Sequence, residues 1–512
     1  MSDVAYAPAA PPARQQREDR WHLVAAGASL LFGYLCLRWG PLLAAEAAAG
    51  AALLLLCIAR PFTGLLTTLG LTLALEQIGI STNGVIELDP WTERLHFFAN
   101  LNSLGRLPWV YLNFMEVMLL TCGLSWAVRR AKAGTLRWRG GPLLFPLALL
   151  AGALVLAILY GLAAGASWKL ALWETRALFQ LMVTYLLAIH MIEERAQVRA
   201  LVWTAIAAIF YRAIMAWYHA GVFLRFDLSG VDSVTTHEDG LFFASLLLFW
   251  AVLLLFRAEP DQRRVLTLLF PLLVGAFLFS KRRAAMVALL AAVPYLILLL
   301  DWPRARRALL VCAALAIPAG HYTAAFWNSD RGVAMPVQLI KSVIIRPQSG
   351  RMYYSNRYRD LENSLLAARI RQSPLTGIGF GKPFVAAGAA LPDEGDRAAA
   401  SSGLPVLDAP LSHYIPHNQI LWVWAKAGFL GFAAFWFFAL FAVAHGTRLA
   451  RALQTPYLRA VAAFVALMVC MQLIVSFGDQ QLTEYRNMVF LGLLLGTLCR
   501  LPHLDKQAVG RE

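Results

Sequence analysis

His417-Asn418-Gln419-Ile420-Leu421-Trp422-Val423-Trp424-Ala425-Lys426-Ala427-Gly428-Phe429-Leu430-Gly431 begins where a long polar segment meets an apolar stretch that continues to Ala442. The stretch is longer than the roughly 20 residues that ~30 Å of hydrocarbon requires. The imidazole at its start stands where a side chain reaches both water and lipid head groups.

Outward from this run the same signal repeats. Apolar stretches cover residues 21–37, 41–59, 61–80, 108–128, 142–163, 172–191, 200–219, 240–256, 265–279, 284–300, 308–325, 417–442, 460–477 and 487–500. Hydrophobic residues make up 59% of the 512 and charged residues only 15%, against roughly 25% charge in a soluble chain. Mean hydropathy is +0.59. An all-α polytopic membrane protein with 14 transmembrane helices is expected.

Lys and Arg set the orientation. With the N-terminus inside, the inner loops hold Arg129, Arg130, Lys132, Arg137 and Arg139, then Arg195 and Arg199, then Arg257, Arg263 and Arg264, then Arg304, Arg306 and Arg307, then Arg448, Arg451 and Arg459. The long loop, residues 326–416, then lies outside, which in a bacterium is the periplasmic face of the inner membrane. The chain divides into a disordered cytoplasmic tail (1–20), N-terminal transmembrane helices (21–264), a core with the long loop (265–442), C-terminal transmembrane helices (443–500) and a second tail (501–512). Topology accounts for much of the net charge of +15, and no soluble basic domain is left for nucleic acid. All six cysteines fall in apolar stretches, where they read as small packing residues rather than a disulfide framework.

Cations that defy the orientation rule are the informative ones. Ser280-Lys281-Arg282-Arg283 occupies a very short outer connection. Between Met335 and Lys382 the long loop carries Lys341, Arg346, Arg351, Arg357, Arg359, Arg369, Arg371 and Lys382 against Asp360 and Glu362, a balance of +6. A diphosphate suits such a surface, because a forked guanidinium takes phosphate oxygens bidentately; contact with anionic lipid head groups is the competing reading. Arg359 opens a helical stretch, Asp360 to Gln372, whose Leu361, Leu365 and Ala368 let it lie on the membrane. Pro374 ends it. In the following turn Gly377, Gly379 and Gly381 allow backbone N–H groups to converge on an oxyanion. Lys382 is followed by Pro383, so this is no P-loop, and no metal-ligand spacing occurs. His237-Glu238-Asp239 reads as charge at a helix N-terminus.

Ser280-Lys281-Arg282-Arg283-Ala284 at a span edge, Arg359 with its helix and Pro374-Leu375-Thr376-Gly377-Ile378-Gly379, and His417-Asn418 followed after nine residues by Gly428 and after two more by Gly431 together resemble the O-antigen ligase and polymerase superfamily. The resemblance covers residues 265–442. The family often has Ser-Arg-Gly where this chain has Ser-Lys-Arg-Arg, so Arg283 is taken as the equivalent arginine with Arg282 in reserve. The resemblance implies a GT-C-like, cofactor-free, metal-independent inverting glycan transferase. Its donor would be an undecaprenyl-diphosphate-linked saccharide, and its acceptor a saccharide hydroxyl on another repeat unit or on lipid A-core. His417 would take the hydroxyl proton while Arg283 and Arg359 stabilise the departing diphosphate, with Asn418, Gly377, Gly379, Arg212 and His237 in support. Membrane lipids and chain-length or export proteins are the implied partners. The generous loop favours polymerase over ligase. A lipid-linked saccharide flippase is the alternative, and Arg212, Glu46, Glu76 and Glu116 inside apolar stretches would suit it.

Overall fold

The computed structural model describes residues 27, 29–38, 40–75, 79–82, 85–88, 97–104, 110–228, 231–329, 334–345, 348, 350–385 and 411–509. From residue 41 onward every apolar stretch carries a helix. Among the described residues, eight helices are long and apolar enough to cross a membrane: Pro41–Ala59, Leu144–Ala163, Arg195–Phe223, Glu238–Phe256, Trp302–Phe326, Gln419–Ala452, Pro456–Ser476 and Tyr485–Ala508. A ninth arises if Pro260–Leu268 and Phe270–Phe279, bent by 57°, form one passage. The break falls at Leu269, and Pro271 just after it has no N–H to continue the first helix. The chain is a multi-pass, predominantly helical membrane protein.

The other expected spans show why fewer than fourteen helices meet this standard. Pro61–Ala74 and Arg283–Leu298 are short, with 14 and 16 residues. Phe114–Lys132 ends in Arg129, Arg130 and Lys132, and Trp168–Met191 carries Glu174 and Arg176 in its interior. The expected 61–80 span stops early because the chain enters a small sheet. Gly79–Thr82 pairs antiparallel with Val85–Leu88 on one side and Val231–Ser233 on the other. Thr82 pairs directly with Val85. At the other end, Tyr485–Val509 continues nine residues past the expected end of its span at Arg500.

Burial ranks the helices. Glu238–Phe256, Pro456–Ser476 and Tyr485–Ala508 are mostly enclosed by protein, whereas Trp302–Phe326 exposes nearly its whole surface. Tyr485–Val509 crosses Trp168–Met191 closely enough that a Cβ on Gly492 or Gly496 would overlap the Leu181 or Tyr185 carbonyl, the small-residue contact that replaces a hydrophobic driving force inside lipid. Charges inside the bundle are paired. Arg212 Nε donates to both Asp239 oxygens at 3.1 Å, Arg486 reaches the same carboxylate at 2.7 Å, and Arg176 pairs with Glu116, which also accepts from Gln180 at 2.6 Å. A buried charge without a partner would cost several kcal/mol.

Candidate active site

The site is assembled from three sequence-distant pieces. The first is the connection Ser280–Arg282 and the start of the Arg283–Leu298 helix. Lys281 adopts φ 51°, which reverses the chain and aims its side chain backwards. Its ammonium donates to the Leu228 and Val231 carbonyls at 2.8 and 2.7 Å. Burial holds this ammonium below the ordinary lysine range, while Asp227 opposes the shift. Lys281 therefore fastens the 228–231 segment and is spent structurally.

Arg282 and Arg283 diverge. Arg282 donates to the Ser233 hydroxyl at 3.2 Å, which ties it to the small sheet. Burial lowers its pKa; Asp479, Glu238 and Asp239 oppose that shift and Arg359 adds to it. Its Nε is buried and has no partner among the described residues. Arg283 instead donates to Asn356 Oδ1 at 3.2 Å, and Arg359 again lies close enough for the two charges to act on each other. Three guanidinium groups thus share one neighbourhood.

The second piece is the arginine helix, Gly350–Gln372. It begins well before the expected start at Asp360. Its buried row is Tyr358, Glu362 and Leu366, spaced i, i+4, i+8 on one face. Leu361, expected to face the membrane with Leu365 and Ala368, is exposed. Arg359 sits beside this buried row, and its Nε has no partner among the described residues.

The third piece is the broken helix, Gln419–Ala452, with His417 and Asn418 at its head. Asn418 caps it, its side chain accepting from the Leu421 N–H at 3.1 Å, as an N-cap residue should. Gln419 fixes the head to the connection between Pro456–Ser476 and Tyr485–Val509 through Thr483 Oγ1 at 2.8 Å and the Gln481 N–H at 2.7 Å. His417 Nδ1 lies 2.9 Å from Glu362 Oε2, which also accepts the His417 backbone N–H at 3.2 Å. The Tyr358 ring meets the imidazole edge-on at 5.8 Å. A carboxylate only accepts, so Nδ1 carries the proton and donates. This leaves Nε2 as the basic nitrogen on a ring that keeps 22% of its surface exposed.

The glycine turn has a different job from the expected one. Gly428 interrupts the broken helix at φ 64°, ψ −170°, a conformation essentially reserved for glycine. The break frees backbone groups on either side, and the turn pairs with them. Ile378 N–H donates to Ala425 O at 2.8 Å, Gly379 N–H to Lys426 O at 3.0 Å, and Phe429 N–H to Pro374 O at 2.9 Å. Gly377 N–H donates to Ser373 O at 3.0 Å and Gly381 N–H to Glu174. These N–H groups are used by the protein, so Gly377 and Gly379 dock the turn instead of forming an oxyanion cradle. Both need positive φ, 69° and 83°, and a Cβ on either would strike backbone. Under the turn, Lys426 forms a fully enclosed ion pair with Glu174 and donates to the Lys382 carbonyl.

The structure thus brings together Arg282, Arg283, Arg359 and His417 with Asn418 and adds Glu362, which the sequence reading counted only as a negative charge. Arg212 is held apart by Asp239. His237 opens the His237–Phe256 helix, but its side chain lies outside the described residues, as does Glu76. Among the described residues no three His, Cys, Asp or Glu side chains gather as metal ligands would.

Residues 266–436 match the family described as O-antigen ligase. This region is an O-antigen ligase-type domain. The O-antigen ligase-type domain contains the first two pieces of the site and the head of the third, and falls within the 265–442 stretch that carried the resemblance. The match supports a membrane glycan-transfer role of ligase or polymerase type for this region. No curated protein matches the chain.

Proposed function

We propose that the chain transfers an undecaprenyl-diphosphate-linked oligo- or polysaccharide onto a sugar hydroxyl at the periplasmic face of a bacterial inner membrane. One observation carries the reading. Glu362 holds His417 Nδ1 from the same helix that presents Arg359 and, through Asn356, meets Arg283. A base and its anion clamp therefore share one rigid support. His417 Nε2 accepts the acceptor's hydroxyl proton as that oxygen bonds to the anomeric carbon from the face opposite the diphosphate. The anomeric carbon–oxygen bond breaks with inversion, and the charge on the departing diphosphate is met by Arg283 and Arg359, with Arg282 behind them. The residues in hand suffice for this proton and charge transfer without a metal.

In this reading the chain makes fourteen passages with both tails, 1–20 and 501–512, in the cytoplasm, and segment 326–416, which carries the Met335–Ile344 and Gly350–Gln372 helices, faces outward. The 21–264 and 443–500 helices flank the transfer core. Extending repeat units as an O-antigen or exopolysaccharide polymerase suits the long outer segment, with chain-length or export proteins as partners. The family description favours a second product, ligation onto lipid A-core.

The test supplies purified protein with lipid-linked donor and acceptor in excess chelator, without nucleotide or ion gradient. Covalent extension of the glycan with inverted anomeric configuration is expected. If the glycan remains unchanged while donor crosses liposomes only when the protein is present, the flippase reading replaces this one.

A further inference from the structure

Past the break at Gly428 the helix continues for 24 residues to Ala452, about 36 Å at 1.5 Å per residue, so its last turns lie far from His417. At that distal end a groove of about 500 Å³ is lined by Ala444, Thr447, Arg448, Arg451 and Ala452. We infer that this groove is a binding site for an anionic glycerophospholipid, separate from the transfer site and independent of the transferase reading.

Charge is the first reason. Several basic side chains at helix ends are matched by carboxylates: Arg139 meets Glu193 at 3.0 Å, Arg195 meets Glu259 at 3.7 Å and Arg304 meets Asp301 at 3.4 Å. Arg448 and Arg451 meet no carboxylate among the described residues, so the groove presents two guanidinium groups without an anion.

Their placement is the second reason. Arg451 donates to the Leu298 carbonyl at 2.9 Å, which anchors one side of the fork to the neighbouring helix. Arg448 lies 3.5 Å from His445 Nδ1. A guanidinium only donates, so Nδ1 accepts and the proton sits on His445 Nε2. That buried N–H, between the groove-lining residues Ala444 and Arg448 in sequence, has no partner among the described residues. Thr447 Oγ1 is already paired with Tyr295 and Val443.

The third reason is the surface leading away from the groove. Phe437, Leu440 and Phe441 are exposed and, with Ala444, follow the i, i+3, i+4, i+7 pattern of one helix face. This apolar stripe ends at the two arginines. A phosphate at the basic end and acyl chains along the stripe satisfy both halves, which free phosphate cannot.

The experiment uses the full chain, delipidated in detergent and offered phosphatidylglycerol, phosphatidylcholine or inorganic phosphate. Bound lipid is counted by native mass spectrometry and the thermal midpoint is followed in parallel. Wild type is expected to retain phosphatidylglycerol over phosphatidylcholine and to gain thermal stability from it. Arg448→Gln/Arg451→Gln should retain about tenfold less, whereas Lys132→Gln/Arg137→Gln, which removes two exposed charges elsewhere, should match wild type. Ala444→Trp, which fills the groove and leaves its charges, should also lose the lipid and guards against misfolding of the double variant. Equal retention by Arg448→Gln/Arg451→Gln and wild type, equal retention of phosphatidylcholine, or the same stabilisation by phosphate alone would overturn the assignment.

Discussion

Two acid–base pairs lie near the head of the broken helix, and they differ in what they leave unspent. Glu174 and Lys426 are fully enclosed, and their remaining capacity goes to the Gly381 N–H and the Lys382 carbonyl. Glu362 and His417 are paired at 2.9 Å, yet among the described residues the imidazole keeps one nitrogen uncommitted on a partly exposed ring. A buried pair whose partners all lie inside the protein builds architecture. One that orients a titratable group and leaves its far side open is built for proton transfer.

The contrast breaks if His417 is dispensable. His417→Ala should lower glycan transfer by about 10⁴-fold with an unchanged amount of protein in the membrane; polymer at the wild-type level in cells carrying only this variant would remove the general-base role. Lys426→Met should act on folding instead. It leaves Glu174 buried and alone at a cost of about 3–5 kcal/mol, read as a lowered thermal midpoint and yield, and Glu174→Gln/Lys426→Met should recover most of it. A Lys426→Met protein that is stable but inactive would move this pair to the chemical side of the comparison.

Glu362→Gln sharpens the distinction. The amide retains shape but not charge and can offer Nδ1 its N–H, so the imidazole loses its fixed tautomer. Transfer should fall by about 10²-fold in kcat at little change in KM or thermal midpoint; a loss confined to stability would make Glu362 architectural like Glu174. The smallest effect belongs to the clamps. Arg283→Lys and Arg359→Lys keep the charge and lose the fork, and each should reduce transfer by about tenfold, measured as polymer formed per molecule of protein. Near-normal activity in both would return these arginines to lipid contact.

Much of this was legible because membrane-length apolar runs and misplaced cations are one-dimensional signals. Helices fell where the apolar runs predicted, and Arg283 and Arg359 were singled out from charge and position, whereas His417 took its role as a base from the family resemblance. What escaped depended on which face of a helix points inward. Leu361, Leu365 and Ala368 suggested one face for the arginine helix, whereas Tyr358, Glu362 and Leu366 are the row that packs, and a carboxylate inside an apolar row is the clue that was available. The strands at Gly79–Thr82 and Val85–Leu88 were hidden by the hydrophobicity of their surroundings, although β-branched residues about Asn83-Gly84 signal a hairpin. The glycine turn was misread for a physical reason. Whether N–H groups await an anion or are already bonded depends on the partner segment, and Gly428, some 50 residues on, supplies it.

The break at Gly428 also separates two angular phases. In an uninterrupted α-helix each residue advances the side-chain direction by about 100°, so packing at the Arg448 end would dictate where His417 points. With the ladder interrupted and its free groups tied to Pro374, Ile378 and Gly379, the upper segment takes its bearing from the turn, and hence from the helix that carries Glu362 and Arg359. The lower segment can rotate to suit lipid and neighbouring helices without turning the imidazole away from its carboxylate.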